Sequence, residues 1–199
     1  MKNTFNNIEN NNIKIGFPKV SEIDQVLNIQ KLVLLKNKNL GFKESLEMEG
    51  FLVNEITKND LDYAIEHNQK ESFFIVSRNK DTKINGYFLA YDMEYFLANH
   101  PGWFIESGVS PETIKNKKVL YGKHLASDGT ISGVGKSLNM KMFNLVKKQE
   151  YSLYLGEICE GPVKNDKSLN LHLNKFGMKK ISEYKDSNNF VWGVYVKEI

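Results

Sequence analysis

Asp128-Gly-Thr-Ile-Ser-Gly-Val-Gly-Lys-Ser137 follows the strand-like run Val119-Leu-Tyr-Gly-Lys-His-Leu-Ala126 and precedes a helical pattern with apolar residues at Leu138, Met142, Leu145 and Val146. A strand, a glycine-punctuated turn and a helix gather several backbone N–H groups and the positive end of a helix dipole around one point. Such a point holds anionic phosphate without needing a charged side chain. Gly133 and Gly135 leave the backbone bare to a ligand, and either accepts a positive φ. The stretch predicts a phosphate cradle spanning Thr130, Ile131, Ser132, Gly133, Val134, Gly135 and Lys136.

Downstream of the cradle helix, Tyr151–Ile158 reads as a strand and Asp166–Phe176 as a helix. Met178–Lys185 with Phe190–Val196 reads as a closing hairpin. Upstream, Ser72–Ser77 and Ile84–Tyr91 flank the turn Asn79–Lys83 as a second hairpin. Ile13–Phe17 alternates like a short first strand that Pro18 ends. Ser21 is a good N-cap for a mostly buried helix carrying Ile23, Val26, Leu27, Ile29, Leu32, Leu34 and Leu35. Asn59 is read as the cap of a short helix running to His67. Residues 36–56 show no winning period, and 92–118 are expected to be a functional loop or short helix. Residues 1–12 hold six Asn and read as a flexible tail. The expectation is an α/β (mixed α+β) fold: a central, mostly antiparallel twisted sheet of six to seven strands, helices on both faces, and one domain over residues 13–199.

At 199 residues, with 41% apolar and 26% charged side chains, the composition is that of an ordinary globular chain. A net charge of +3 with scattered lysines argues against nucleic acid. No apolar run approaches the length of a membrane span, and the N-terminal stretch lacks the apolar core of a signal peptide. The single cysteine, Cys159, fits a reducing cytoplasm. Four scattered His and no Cys/His spacing leave no zinc signature.

Two families use such a cradle. The P-loop pattern, G-x-x-x-x-G-K-[ST], finds its last three positions in Gly135-Lys136-Ser137, but its first glycine falls on Thr130. It also needs a metal-binding Asp at the end of a later strand, and the next strand ends in Glu157-Ile158. The second is the GNAT superfamily of acyl-CoA-dependent N-acetyltransferases, whose loop [QR]-x-x-G-x-[GA] resembles Thr130-Ile-Ser-Gly133-Val-Gly135. A later segment, Pro162-Val-Lys-Asn165-Asp-Lys-Ser168-Leu-Asn-Leu-His172-Leu-Asn-Lys-Phe-Gly177-Met178, is similar to that family's N-x-x-[SA] segment.

The GNAT resemblance implies acetyl-CoA as co-substrate and direct attack by a small-molecule or peptide amine, in a monomer or homodimer. It implies that the backbone of Leu125 bonds the cofactor, that Asn165 contacts it, and that His172 stands where relatives carry the acid for the departing thiolate. Ser168 shares a helix side with both, at spacings of three and four. Five residues separate His172 from Gly177 where relatives have four. One residue is about 100° of helix, so counting from Gly177 puts Leu173 in the acid's place. Glu157, His124, Tyr121 and Glu94 are the candidate bases. Cys159 is expected to be buried and inert, and Trp103 and Trp192 to be core. The remaining alternatives are a nucleotide-binding protein using Gly135-Lys136-Ser137, and a GNAT-like module that binds acyl-CoA without catalysis.

Overall fold

The computed structural model describes residues 13–38 and 47–199. The Asn-rich stretch 1–12, read above as a tail, and residues 39–46 lie outside the described residues. Among those described, seven strands form one sheet: β1 (Lys14–Gly16), β2 (Ser72–Arg78), β3 (Ile84–Asp92), β4 (Val119–Ser127), β5 (Leu153–Gly161), β6 (Lys179–Lys185) and β7 (Val191–Glu198). Their order is β1-β2-β3-β4-β5-β7-β6, antiparallel throughout except for the parallel pair β4/β5.

Helices cover both faces, which explains why β2 carries four consecutive apolar residues, Phe73–Val76, rather than alternate ones. Phe73 and Ile75 face helix α5 (Val134–Lys147), whose Val134, Leu138, Met142 and Val146 recur every four residues. Phe74 and Val76 face α1 (Ile23–Val33) and α2 (Lys58–Glu66) through Ile23, Val26, Ile29, Leu61 and Ala64. Further along that second face, α3 (Met93–Asn99) and α4 (Trp103–Ser107) pack Met93, Phe96 and Trp103 on Val119, Tyr121 and Leu155.

Several local expectations are corrected. Helix α2 is capped by Thr57, not Asn59: Asp60 N donates to Thr57 Oγ1 (3.2 Å) and Thr57 N to Asp60 Oδ2 (2.8 Å), a reciprocal pair that fixes the first turn. Helix α1 stops at Val33 because the chain then pairs with another segment, Leu35 N on Leu52 O (2.8 Å) and Leu52 N on Val33 O (3.0 Å). Leu34 and Leu35 are therefore buried beyond the helix and Leu32 is exposed. The stretch 92–118, read as a functional loop or short helix, holds α3, α4 and a 3-10 turn, Pro111–Thr113.

The helix read over Asp166–Phe176 is α-helical only at α6 (Asp166–Leu169). It continues as a π segment, Asn170–Lys175, closed by Phe176 N on Leu171 O at 3.2 Å. A π turn absorbs one extra residue. The additional residue between His172 and Gly177 is taken up there, so His172 stays on the polar row with Asn165 and Ser168, and Leu173 packs with the core.

The sheet opens at its middle. β4 and β5 are in register from Val119↔Leu153 to Gly122↔Gly156 and part after that pair. Beyond it, β4 bonds only β3, and β5 only β7. A bulge drives the parting: on β4, His124 opposes Leu89 and Gly122 opposes Ala90, leaving Lys123 unpaired. A bulge bends its strand and raises the local twist.

Candidate active site in the split of the sheet

The cradle lies at the C-terminal end of β4. Gly133 caps α5 at φ 84°, a left-handed conformation that glycine adopts without strain. Ser137 N closes the first turn on Gly133 O (3.0 Å), and the helix amides before it have no helical carbonyl to bond. Ile131, Ser132, Gly133, Val134, Gly135 and Lys136 line a cavity of about 510 Å³. Thr130 does not line it: its amide (2.9 Å) and hydroxyl (2.7 Å) both bond Asp128 Oδ1. That internal Asx turn shapes the loop, so Thr130 supports the cradle from outside. Leu125 lines the wall on the β4 edge that β5 has left. Successive residues of a strand send their N–H and C=O groups to alternate sides, so this edge offers unpaired main-chain groups to the gap.

Asn165 and Ser168 also line the cavity. Asn165 is buried and its side chain works structurally. Oδ1 accepts from Ser168 N (3.2 Å), and Nδ2 donates to Phe51 O (2.8 Å), tying α6 to the segment after α1. His172 is buried with Nδ1 2.8 Å from Ser168 O. A carbonyl only accepts, so Nδ1 carries the proton and Nε2 keeps the lone pair. Burial holds this ring below the usual histidine range. A neutral imidazole in that tautomer accepts a proton and has none to give from Nε2.

Tyr154, which the sequence reading passed over, supplies a donor beside it. Gly122 and Gly156 oppose one another across the last paired rung, and the Tyr154 hydroxyl lies over both. A Cβ on Gly122 would collide with it, and one on Gly156 would sit 3.3 Å away. Among the described residues the hydroxyl has no hydrogen-bond partner, and Tyr154 is part of the cavity wall. Burial raises its pKa, so it stays protonated. Its ring runs nearly parallel to that of His172, 14° apart with centroids at 6.5 Å. A glycine on each of two neighbouring strands, Gly122 and Gly156, the second two residues beyond Tyr154, was the available signal.

Across the sheet, Glu157 is the next β5 residue into the split. Its Oε1 accepts from Trp103 Nε1 (2.7 Å) and Tyr184 Oη (3.0 Å), and its Oε2 from Tyr121 Oη (2.5 Å). A carboxylate has about four lone-pair positions. Oε1 is thus filled and Oε2 has one left. Burial first, and the carboxylate second, push Tyr121 well above the ordinary phenol range, so it stays a donor. Trp103 is core, yet its indole N–H helps to fix the site. Trp192 borders the cavity.

The other candidate bases fare differently. Glu94 lies exposed in the first turn of α3 and is not on the cavity wall. His124 is on the wall but buried against the α1 face, with Nδ1 3.4 Å from Tyr87 Oη. Burial, then Lys123, lower its pKa from 6.5 to about 3. The unfolded chain therefore binds a proton here before the folded one does. This group's stabilisation is complete above pH 6.5 and is lost as pH falls toward about 3. Denaturant melts of His124→Phe are expected to show a shallower loss between pH 6.5 and 4 than the unsubstituted chain. Cys159 is buried with its thiol pushed up to about 11, chiefly by burial, as befits an inert sulfur. Among the described residues no group of three or more His, Cys, Asp or Glu could hold a metal, and no helix is long and apolar enough to cross a membrane.

A seven-strand mixed sheet flanked by helices on both faces is the backbone that places this chain beside solved N-acetyltransferases. The chain has the GNAT fold. The PaiA N-acetyltransferase of Thermoplasma acidophilum, solved with coenzyme A, matches over 94% of this chain and 99% of its own at a TM-score of 0.60 and 14% identity. The NatC complex bound to Gag peptide and CoA matches over 94% and 99% at 0.64 and 10%. A GCN5-related N-acetyltransferase of Kribbella flavida matches over 96% and 99% at 0.59 and 11%. No family sequence model and no curated protein sequence matches the chain. The GNAT likeness is one of backbone.

Proposed function

We propose that this chain is an N-acetyltransferase that moves an acetyl group from acetyl-CoA to a primary amine by direct attack in a ternary complex. The observation that carries the reading is a single cavity running from the cradle amides, through the β4/β5 split, to Glu157. The residues present fit the cofactor. Gly133 has open space where a side chain would be, Gly135 leaves room between Leu125 and Leu171, and Lys136, Lys167 and Lys175 add positive charge to the wall. The amides of Ile131–Lys136 would hold the diphosphate, and the free edge of β4 at Leu125 would hold the pantetheine amides.

When bound, acetyl-CoA supplies a thioester whose acyl carbon is open to a nucleophile and whose sulfur leaves as a thiolate. Glu157 Oε2 orients the amine through its remaining lone pair and takes the proton that nitrogen loses as the C–N bond forms. From the other side of the split the Tyr154 hydroxyl would supply a proton to the departing thiolate, and water would return to it the proton that Glu157 has taken. His172 borders Tyr154, and its N–H is spent on Ser168, so the acid role passes from His172 to Tyr154. Tyr154→Phe is expected to lower kcat by about 10²-fold, within the range for a general acid. The acetyl-CoA melting shift of that variant should be unchanged.

The test of the reading is a rise in melting temperature with acetyl-CoA together with thiol release on mixing with an amine panel. No shift at millimolar cofactor rejects it. A shift without thiol release from any amine favours the non-catalytic module. Nucleotide hydrolysis lost in Lys136→Ala would favour the P-loop reading, which the antiparallel β3/β4 pair and Thr130 weigh against.

A further inference from the structure

The acceptor side of the cavity holds a charge with no counterpart. Lys123 is the residue that the β4 bulge leaves unpaired. A bulge lets two successive side chains share a face: His124 meets Tyr87, on the α1 side, and Lys123 stands on that same side, toward Glu157 and Asp60. Lys123 lines the cavity where the strands part. Among the described residues its ammonium has no hydrogen bond and no ion pair. Burial lowers its pKa, while Glu157 and then Asp60 pull it back up. His100, nearby, is pushed toward neutrality by burial and by Lys123 itself, so it adds no second positive charge. Glu157 acts on the lysine only through space: among the described residues the two form no hydrogen bond or ion pair, and the donors on Glu157 are Trp103, Tyr121 and Tyr184.

Lys123 is half-buried on the cavity wall, and a cation partly withdrawn from water is better accommodated when an anion meets it. The split thus presents one carboxylate position seeking a donor and one ammonium seeking an acceptor. We propose that the acceptor is an amino carboxylate: its amine is held at Glu157 Oε2 and its carboxylate is read by Lys123. This rests on the N-acetyltransferase reading above. A plain amine leaves the Lys123 charge unmet and is repelled by it.

The experiment compares matched pairs, alanine with ethylamine and phenylalanine with 2-phenylethylamine, by thiol release and by melting shift in the presence of free CoA. The amino acid of each pair is expected to be preferred by about 10- to 100-fold in kcat/KM, the range for a hydrogen bond to a charged group, and to give the larger shift. Lys123→Met should erase the preference mainly through KM while the shift with CoA alone persists; Lys123→Arg should keep part of it. Equal or better turnover of the plain amines overturns the proposal, as does an unchanged preference in Lys123→Met. If Lys123→Met does not fold, the matched pairs on the unsubstituted chain still decide. A CoA shift with no thiol release from any member overturns the transferase reading, and this one with it.

Discussion

Gly135→Phe is expected to fold and to lose the melting shift with acetyl-CoA entirely. Gly135 is at the second position of α5, on the cavity wall, and a Cβ there would lie 3.6 Å from Leu171 Cδ2 and 3.9 Å from Leu125 Cδ2. Both are ordinary contacts, so Gly135→Ala should retain binding, and the helix gains from the exchange of Gly for Ala. A benzyl group has nowhere to go except along the cradle, across the amides that would face the diphosphate. The pair separates occupancy from strain, because Gly133→Ala at φ 84° meets no atom within 4 Å yet pays a backbone penalty. Calorimetric titration with CoA is the direct measurement. Binding by Gly135→Phe at the level of the unsubstituted chain would remove the cradle from the mechanism.

Substitution at Glu157 is expected to split stability from activity. Glu157→Leu orphans the Trp103 indole N–H and the Tyr121 and Tyr184 hydroxyls at once. Each buried donor left unsatisfied costs about 1–3 kcal/mol, so a loss of roughly 3 kcal/mol or more is expected in denaturant unfolding, even with cavity water replacing one partner. Glu157→Gln keeps an oxygen for Trp103 and Tyr184, and Tyr121 can rotate its hydroxyl to accept from the new amide. That variant should melt near the unsubstituted chain, yet its kcat/KM should fall by about 10²-fold, because an amide takes no proton from the amine. Equal stability losses in both variants would mean that the site is held by packing, not by these three bonds.

The strand-to-helix turn was legible because glycine positions and such a transition are local features; Ile131–Lys136 line the cavity and Thr130 does not. The polar row Asn165, Ser168 and His172 was also legible from spacing. Its meaning was not. The π segment that keeps His172 in line depends on Phe176 N reaching past the α-helical partner to Leu171 O, and no residue type announces that choice. Tyr154 lay unmarked within the strand Tyr151–Ile158. Its position over Gly122 exists only because β4 and β5, distant in sequence, run in parallel register. Trp103 and Tyr184 reach Glu157 from α4 and β6, elements more than twenty residues away on either side.

By itself the sequence determined most of the strands, the long helices at Ile23–Val33 and Val134–Lys147, the two helix-covered faces, and the turn that strips side chains from a helix N-terminus. All of these follow from interactions within a few residues or from the alternation of apolar side chains. The tertiary structure alone decided where the sheet parts, and which hydroxyl, carboxylate and ammonium face the opening. That depends on the Lys123 bulge and the Gly122↔Gly156 rung, and strand register is fixed by packing across the whole sheet rather than by either strand alone.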